Sequence, residues 1–133
     1  MPVRSIGYAR DVTNGNWFGI ASDQALADPK RNTALADLLV RYEKAVRWAK
    51  DNPQKWAESY AAAVGLDVNV AEVAQGRSLR QATELDDETV ASEQKIADLF
   101  AASGQIASPA PKFDNWVDRR YNDVLRPLFI ASS

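Results

Sequence analysis

Neither cysteine nor histidine occurs anywhere in these 133 residues. Their absence removes disulfides, thiolate and imidazole metal sites, and every nucleophile pair that joins Cys or Ser to His. It also removes the usual general base near neutral pH, so catalysis would have to rest on carboxylates, Lys, Tyr or Ser. A cysteine-free chain is compatible with an oxidising compartment without requiring one. Charge of a single sign is lacking as well. Sixteen basic against eighteen acidic side chains give a formal charge of -2, and no basic run provides the counterion-release signature of a nucleic-acid binder. The opening MPVRSIGYAR has no apolar core of a secretory leader, and no window approaches the ~20 apolar residues of a membrane span. As written, the chain is expected to stay in the cytoplasm, without membrane insertion.

What is present is a 46% hydrophobic content, enough for one modest core and one domain, residues 1–133. Helical punctuation recurs along it. In LADPKRNTALADLLVRYEKAVRWAKDN, Asp28 is placed as an N-cap with Pro29 at the first helical position, and Leu35, Leu38, Leu39, Tyr42, Val46 and Ala49 follow at helical spacing. Arg41, Glu43, Lys44, Arg47 and Lys50 fall mostly on the other face, with Glu43 set to pair with Arg47. A second helix opens on Asn52 and Pro53, carries Trp56, Tyr60 and Val64 on one stripe, and stops at Gly65. A third, short one runs between Asp67 and Gly76. A fourth starts at Asp86 and Asp87 and ends at Gly104, with Val90, Ile96, Ala97 and Phe100 expected inside. A fifth has Asp114 as cap and Trp116, Val117, Tyr121, Val124, Leu125 and Leu128 as its apolar side, with Pro127 kinking or ending it.

The segments between these helices read differently. Arg77 to Leu85 is polar and aperiodic, which predicts an extended surface run, and Pro109 and Pro111 predict a polyproline-like crossing. No repeat is present, which argues against a solenoid. At the N-terminus, RSIGYARD and NWFGIAS flank Asn14-Gly15, a good hairpin signal. The expected fold is therefore mainly α: about five helices over residues 28–130, behind a short β-hairpin over residues 1–22.

Taken in order, NWFGIAS, LADP, RYEKAVRWAKDNPQKWAESYAAAVGLDVNVAEVA and LDDETVASEQKIADLFAASGQI resemble the C-terminal part of the substrate-binding proteins of aliphatic sulfonate ABC importers, whose relatives take nitrate, taurine or pyrimidine precursors. The resemblance covers about residues 14–126. It implies part of one lobe of a two-lobed, clam-like binding protein, periplasmic or extracellular, with an importer permease and a small sulfonate-like ligand as partners and no cofactor. By this resemblance Tyr8, Asn14, Asn16 and Trp17 would form one wall of a ligand cleft. The chain departs from the family in length, much of both lobes being missing, and in GQIASPAPKF, which replaces a GLIPKPVDV-like segment. The helix N-termini that would cradle a sulfonate would largely come from elsewhere.

Each chemical candidate has a plainer structural reading. Asp86, Asp87 and Glu88 could chelate a hard cation, but acids at a helix start complement its dipole. Arg77 and Arg80 could grip an anion or lie on a solvated loop. Arg119 and Arg120 are set to bridge nearby acids. Trp48, Trp56 and Trp116 have the spacing of core or rim positions, whereas for Trp17 core packing and cleft lining stand level.

Three function classes follow. The first is a fragment or truncated form of a solute-binding protein, not ligand-competent alone. The second is a free-standing helical interaction module without ligand binding. The third, an enzyme like the pyrimidine-precursor synthases that share the clam fold, is set aside because those depend on histidine. A two-stranded ribbon leaves open edges, so the isolated chain is expected to form a homodimer through Trp17, Phe18, Leu128 and Phe129.

Overall fold

The computed structural model describes residues 15–78 and 82–129. Among the described residues the chain is mainly helical. Its elements are α1 (Asp23–Ala27), α2 (Pro29–Asp51), α3 (Pro53–Val64), α4 (Val68–Ser78), α5 (Asp87–Ala102), a 3₁₀ turn at Phe113–Trp116, α6 (Asn122–Leu125) and a second 3₁₀ turn at Arg126–Leu128.

Local chemistry sets the helix boundaries. Asp28 Oδ1 accepts the N–H groups of Lys30 and Arg31 at 2.9 and 3.1 Å, while Pro29 has no N–H to leave unpaired, so α2 starts as its sequence predicts. Asn52 closes α2 instead of capping α3 with its side chain: its backbone N–H and its Nδ2 both donate to the Trp48 carbonyl, at 2.9 and 3.0 Å. Helix α3 ends where Gly65 takes φ +73°, and the N–H groups of Gly65 and Leu66 converge on the Ala61 carbonyl at 2.9 and 3.0 Å. Asp67 Oδ1 accepts from Asn69 N–H at 2.8 Å to open α4, which passes through Gly76 and ends at Ser78. Asp86 Oδ1 accepts from Thr89 N–H at 2.8 Å to open α5. After α5 the chain turns at Gly104, φ +75°.

The core consists of small side chains. Ala57 and Ala61 on α3 pack against Ala71 on α4, and Ala49, Ala101 and Gln75 are the other buried residues among those described. Alanine on both sides lets two helices approach closely, but it leaves the large side chains at the edges. Trp48, Trp56 and Trp116, whose spacing suggested core or rim, are all exposed, and so is Phe100, expected inside α5. No second layer of helices lies over them among the described residues. The ion pair expected between Glu43 and Arg47 is replaced by Asp37 and Arg41, 2.7 Å apart at the same spacing.

Two further expectations need correction. The described part of the expected β element, residues 15–22, contains no strand and is exposed throughout; residues 1–14 lie outside the described residues. Gly15 does take φ +68°, as a turn requires. Beyond it, side chains tie the segment to other described residues: Asn16 Nδ2 donates to Glu93 Oε1 at 2.9 Å, and the Phe18 ring lies 5.7 Å from that of Phe113. The expected fifth helix is broken into a 3₁₀ turn, an irregular stretch, α6 and a second 3₁₀ turn. Asp118 takes the N–H of Arg120 at 3.0 Å, a local bond that competes with helix propagation.

This C-terminal region is held by polar ties. Tyr121 Oη donates to Asn32 Oδ1 at 2.8 Å, Arg120 donates to the Leu26 carbonyl at 2.7 Å, and the Asn122 amide exchanges two 3.2 Å bonds with the backbone of Leu85. The crossing over residues 105–112 is irregular, with a cis peptide at Ser108–Pro109, and not a uniform polyproline helix.

Candidate functional site

Of the four residues assigned to a ligand wall, Tyr8 and Asn14 lie outside the described residues. Asn16 and Trp17 sit at an exposed edge beside the start of α5. Asn16 borders an open depression of about 280 Å³ with Thr83, Asp86, Glu88, Thr89 and Ser92, and Trp17 is 75% exposed. The chemistry of this depression is acidic. Among the described residues Asp86 and Glu88 line it and Glu93 holds Asn16, so a sulfonate approaching there meets carboxylates. A helix N-terminus attracts anions, but at α5 the Thr89 N–H is already taken by Asp86, whose carboxyl is held below the ordinary carboxylate value by that bond.

A larger, open groove of about 580 Å³ lies between α5 and the chain that follows it, lined by Asp87, Val90, Ala91, Gln94, Lys112, Asp114 and Arg119. Its polar groups are largely committed. Arg119 bridges Asp87 at 2.9 Å and Asp114 at 3.1 Å, the kind of bridge to nearby acids expected of it. Gln94 Oε1 accepts from Phe113 N–H at 2.7 Å, while its Nε2 donates to Asp98 and to the Pro111 carbonyl. Two acids and two cations leave the groove without a net field. It functions as a clasp that fastens the segment around Phe113 onto α5.

Asp86, Asp87 and Glu88 cap α5, and among the described residues no group of three or more acidic side chains is arranged to hold a metal ion. Arg77 is exposed on the last turn of α4, and Arg80 lies outside the described residues. Arg120 pairs with Asp118 at 2.6 Å, which raises the guanidinium pKa and lowers that of the carboxyl, and Arg126 bridges Glu84 at 2.7 Å and Asp123 at 3.0 Å. The only carboxyl pushed upward among the described residues is Glu43, half-buried on α2, where burial disfavours its charge. Perturbed groups in a cleft would mark a site; here the shifts belong to caps, surface pairs and one helix flank.

Sequence reasoning missed Gln75, which is buried and joins α4 to α2 through a 2.9 Å bond from its Nε2 to the Ala49 carbonyl. Gln75 stands four residues after Ala71, on the face of α4 that packs inward, but a lone polar residue with a partner 26 positions away leaves no local signal.

Comparison with family models, with curated proteins and with solved structures finds no match to this chain. Among the described residues no helix is long and apolar enough to cross a membrane.

Proposed function

We propose that this chain is a helical covering layer of a solute-binding protein of the sulfonate-importer type, and that it does not hold a ligand by itself. The observation that carries this reading is the distribution of apolar surface. The described residues bury no side chain larger than Gln75, while Leu38, Tyr42, Trp48, Trp56, Tyr60, Leu99 and Phe100 stand exposed on regular helices. Helices with large unburied apolar residues are stable as parts of a larger body, where another layer covers them. The likeness to an importer lobe supplies such a body. An importer permease and a small sulfonate-like ligand are then partners of the complete protein, placed in the periplasm or outside the cell.

The ligand half of the proposal is supported by the acidic, one-sided depression at Asn16 and Trp17. A cleft that buries a small ligand needs two walls and convergent polar groups of suitable sign. Calorimetric titration of the 133-residue chain with taurine and with alkanesulfonates should give no saturable heat. Saturable binding at micromolar concentration would overturn this part of the reading.

A second reading, a free-standing interaction module without ligand binding, is favoured by the hairpin of α3 and α4, which has its own alanine core. Intact mass measured on the protein from its native source separates the two. About double 14.7 kDa is expected for the importer component, and 14.7 kDa itself for the module.

A further inference from the structure

The strongest unpartnered surface lies on the α3 and α4 hairpin. Trp56, Tyr60 and Val64 recur every four residues on α3, so they form one ridge along it. The ridge is ordered in advance: the Trp56 and Tyr60 rings stack with centroids 6.0 Å apart and an interplanar angle of 22°. Val70 and Val73 on α4 are also exposed. The buried residues of the same helices, Ala57, Ala61 and Ala71, face one another, so the ridge is the part of the hairpin left after its own core has formed.

We infer that this face pairs with a second copy of the same chain. The inference rests on the covering-layer reading and specifies which surface is covered when the chain is alone.

Area is the first argument. Trp56, Tyr60, Val64 and Val70, with Leu66 beside them, leave roughly 400 Å² of apolar surface per chain, taking ~150–250 Å² for a full aromatic side chain. A twofold pair would remove about 800 Å² from these anchors, and the polar rim around them brings the total to the ~1,000 Å² at which a specific interface begins. Charge is the second. The ridge positions Trp56, Tyr60 and Val64 are uncharged, and the flanking charges on the two helices are of both signs: Lys55 and Glu58 on α3, Glu72 and Arg77 on α4. A surface that must meet itself avoids like-charge repulsion when its rim is mixed. Composition is the third, since Trp and Tyr are the anchors most often found at interface centres.

The other exposed faces meet these conditions less well. Leu99 and Phe100 on α5 lack a stacked partner and lie about 100° apart around the helix. Phe18, an expected dimer contact, packs on Phe113 in its own chain. Leu128 and Phe129, also expected there, are half-buried.

The absence of cysteine makes the test direct. A single cysteine at exposed Ala63, beside the ridge, should join two chains through a short thiol-reactive cross-linker, whereas a single cysteine at exposed Ala102 on α5 should not. Adding Tyr60→Glu to the Ala63→Cys chain should abolish the cross-link while circular dichroism stays helical. Where that variant loses helicity, Val70→Glu in the same background supplies the same readout from the neighbouring helix. The inference is overturned if Ala63→Cys fails to cross-link, if Ala102→Cys links equally well, or if neither glutamate variant weakens the link. A chain that is dimeric by mass yet fails these tests loses the face but not the covering-layer reading.

Discussion

Gln75 answers a carbonyl that proline leaves without a partner. In an α-helix the Ala49 carbonyl would accept from the N–H four residues on, but that residue is Pro53, which has none. Gln75 Nε2 takes its place at 2.9 Å, and both groups are buried. Its Oε1 has no protein partner, so the amide is only half satisfied. Gln75→Ala should therefore lower stability by about 2 kcal/mol, from the lost bond and the lost volume. Gln75→Leu, which keeps the volume and removes the stranded oxygen, should cost about 1 kcal/mol. Urea denaturation midpoints of the two variants check the order. Both variants lose the bond to Ala49, so the order isolates volume, and the reverse order would contradict the volume argument.

Asp86 gives a pH dependence whose sign follows from its bond to Thr89. Its folded pKa is lowered, so its contribution is present above the ordinary carboxylate value and lost as pH falls through the folded value. Asp118, lowered by Arg120, acts in the same direction. Glu43 acts in the opposite one: burial raises its folded pKa, so its contribution is full at low pH and lost as pH rises through the carboxylate range. Asp86→Asn keeps a good cap without a titrating group. Thermal melts of this variant should lose less stability between neutral and acid pH than those of the parent chain. An unchanged acid slope would contradict the assignment. The caps at Asp28 and Asp86 were legible in the sequence because each is a local event of three or four residues. Gln75 was not, because its partner lies 26 residues away and only the tertiary contact gives it a role.

At the scale of elements, α3 and α4 are joined by Gly65, Leu66 and Asp67, and the turn depends on the left-handed conformation of Gly65. Gly65 holds φ +73° with open space around the position of a missing Cβ, so an added methyl meets no neighbour and the cost is conformational. Gly65→Ala should destabilise by about 1 kcal/mol, and Gly65→Asn by less, because Asn tolerates the left-handed region. Denaturant midpoints test this; equal effects would remove the backbone argument. Glycine stops, Asn-Pro junctions and aspartate caps are short-range signals, and helices α2, α3, α4 and α5 were readable from them. The region after Phe113 was not. Its apolar spacing suits a helix, but Asp118, Arg119, Arg120 and Tyr121 each bond outside a helical pattern, to Arg120 N–H, to Asp87 and Asp114, to Leu26 and to Asn32. The hairpin signal at Asn14-Gly15 specifies a turn and nothing about what the chain beyond it pairs with. Here Asn16 and Phe18 attach that chain to α5 and to Phe113 by side chains.

At the scale of the whole molecule, the spacing of Trp56 and Tyr60 placed them on one face of α3, as their stacked rings show, but did not give the fate of that face. Periodicity shows which residues share a stripe; it does not show whether a second layer exists to cover it. In this chain alanines bring α3 and α4 together and the aromatic stripes are left outside. The candidate ligand wall had the same limitation, since Asn16 and Trp17 gain meaning only from an opposite wall. The central claim is that these apolar faces are contact surfaces. Light scattering after size exclusion, over concentrations from micromolar upward, tests it most directly. The account predicts a mass of twice 14.7 kDa that falls toward 14.7 kDa on dilution; a mass of 14.7 kDa at every concentration would contradict it.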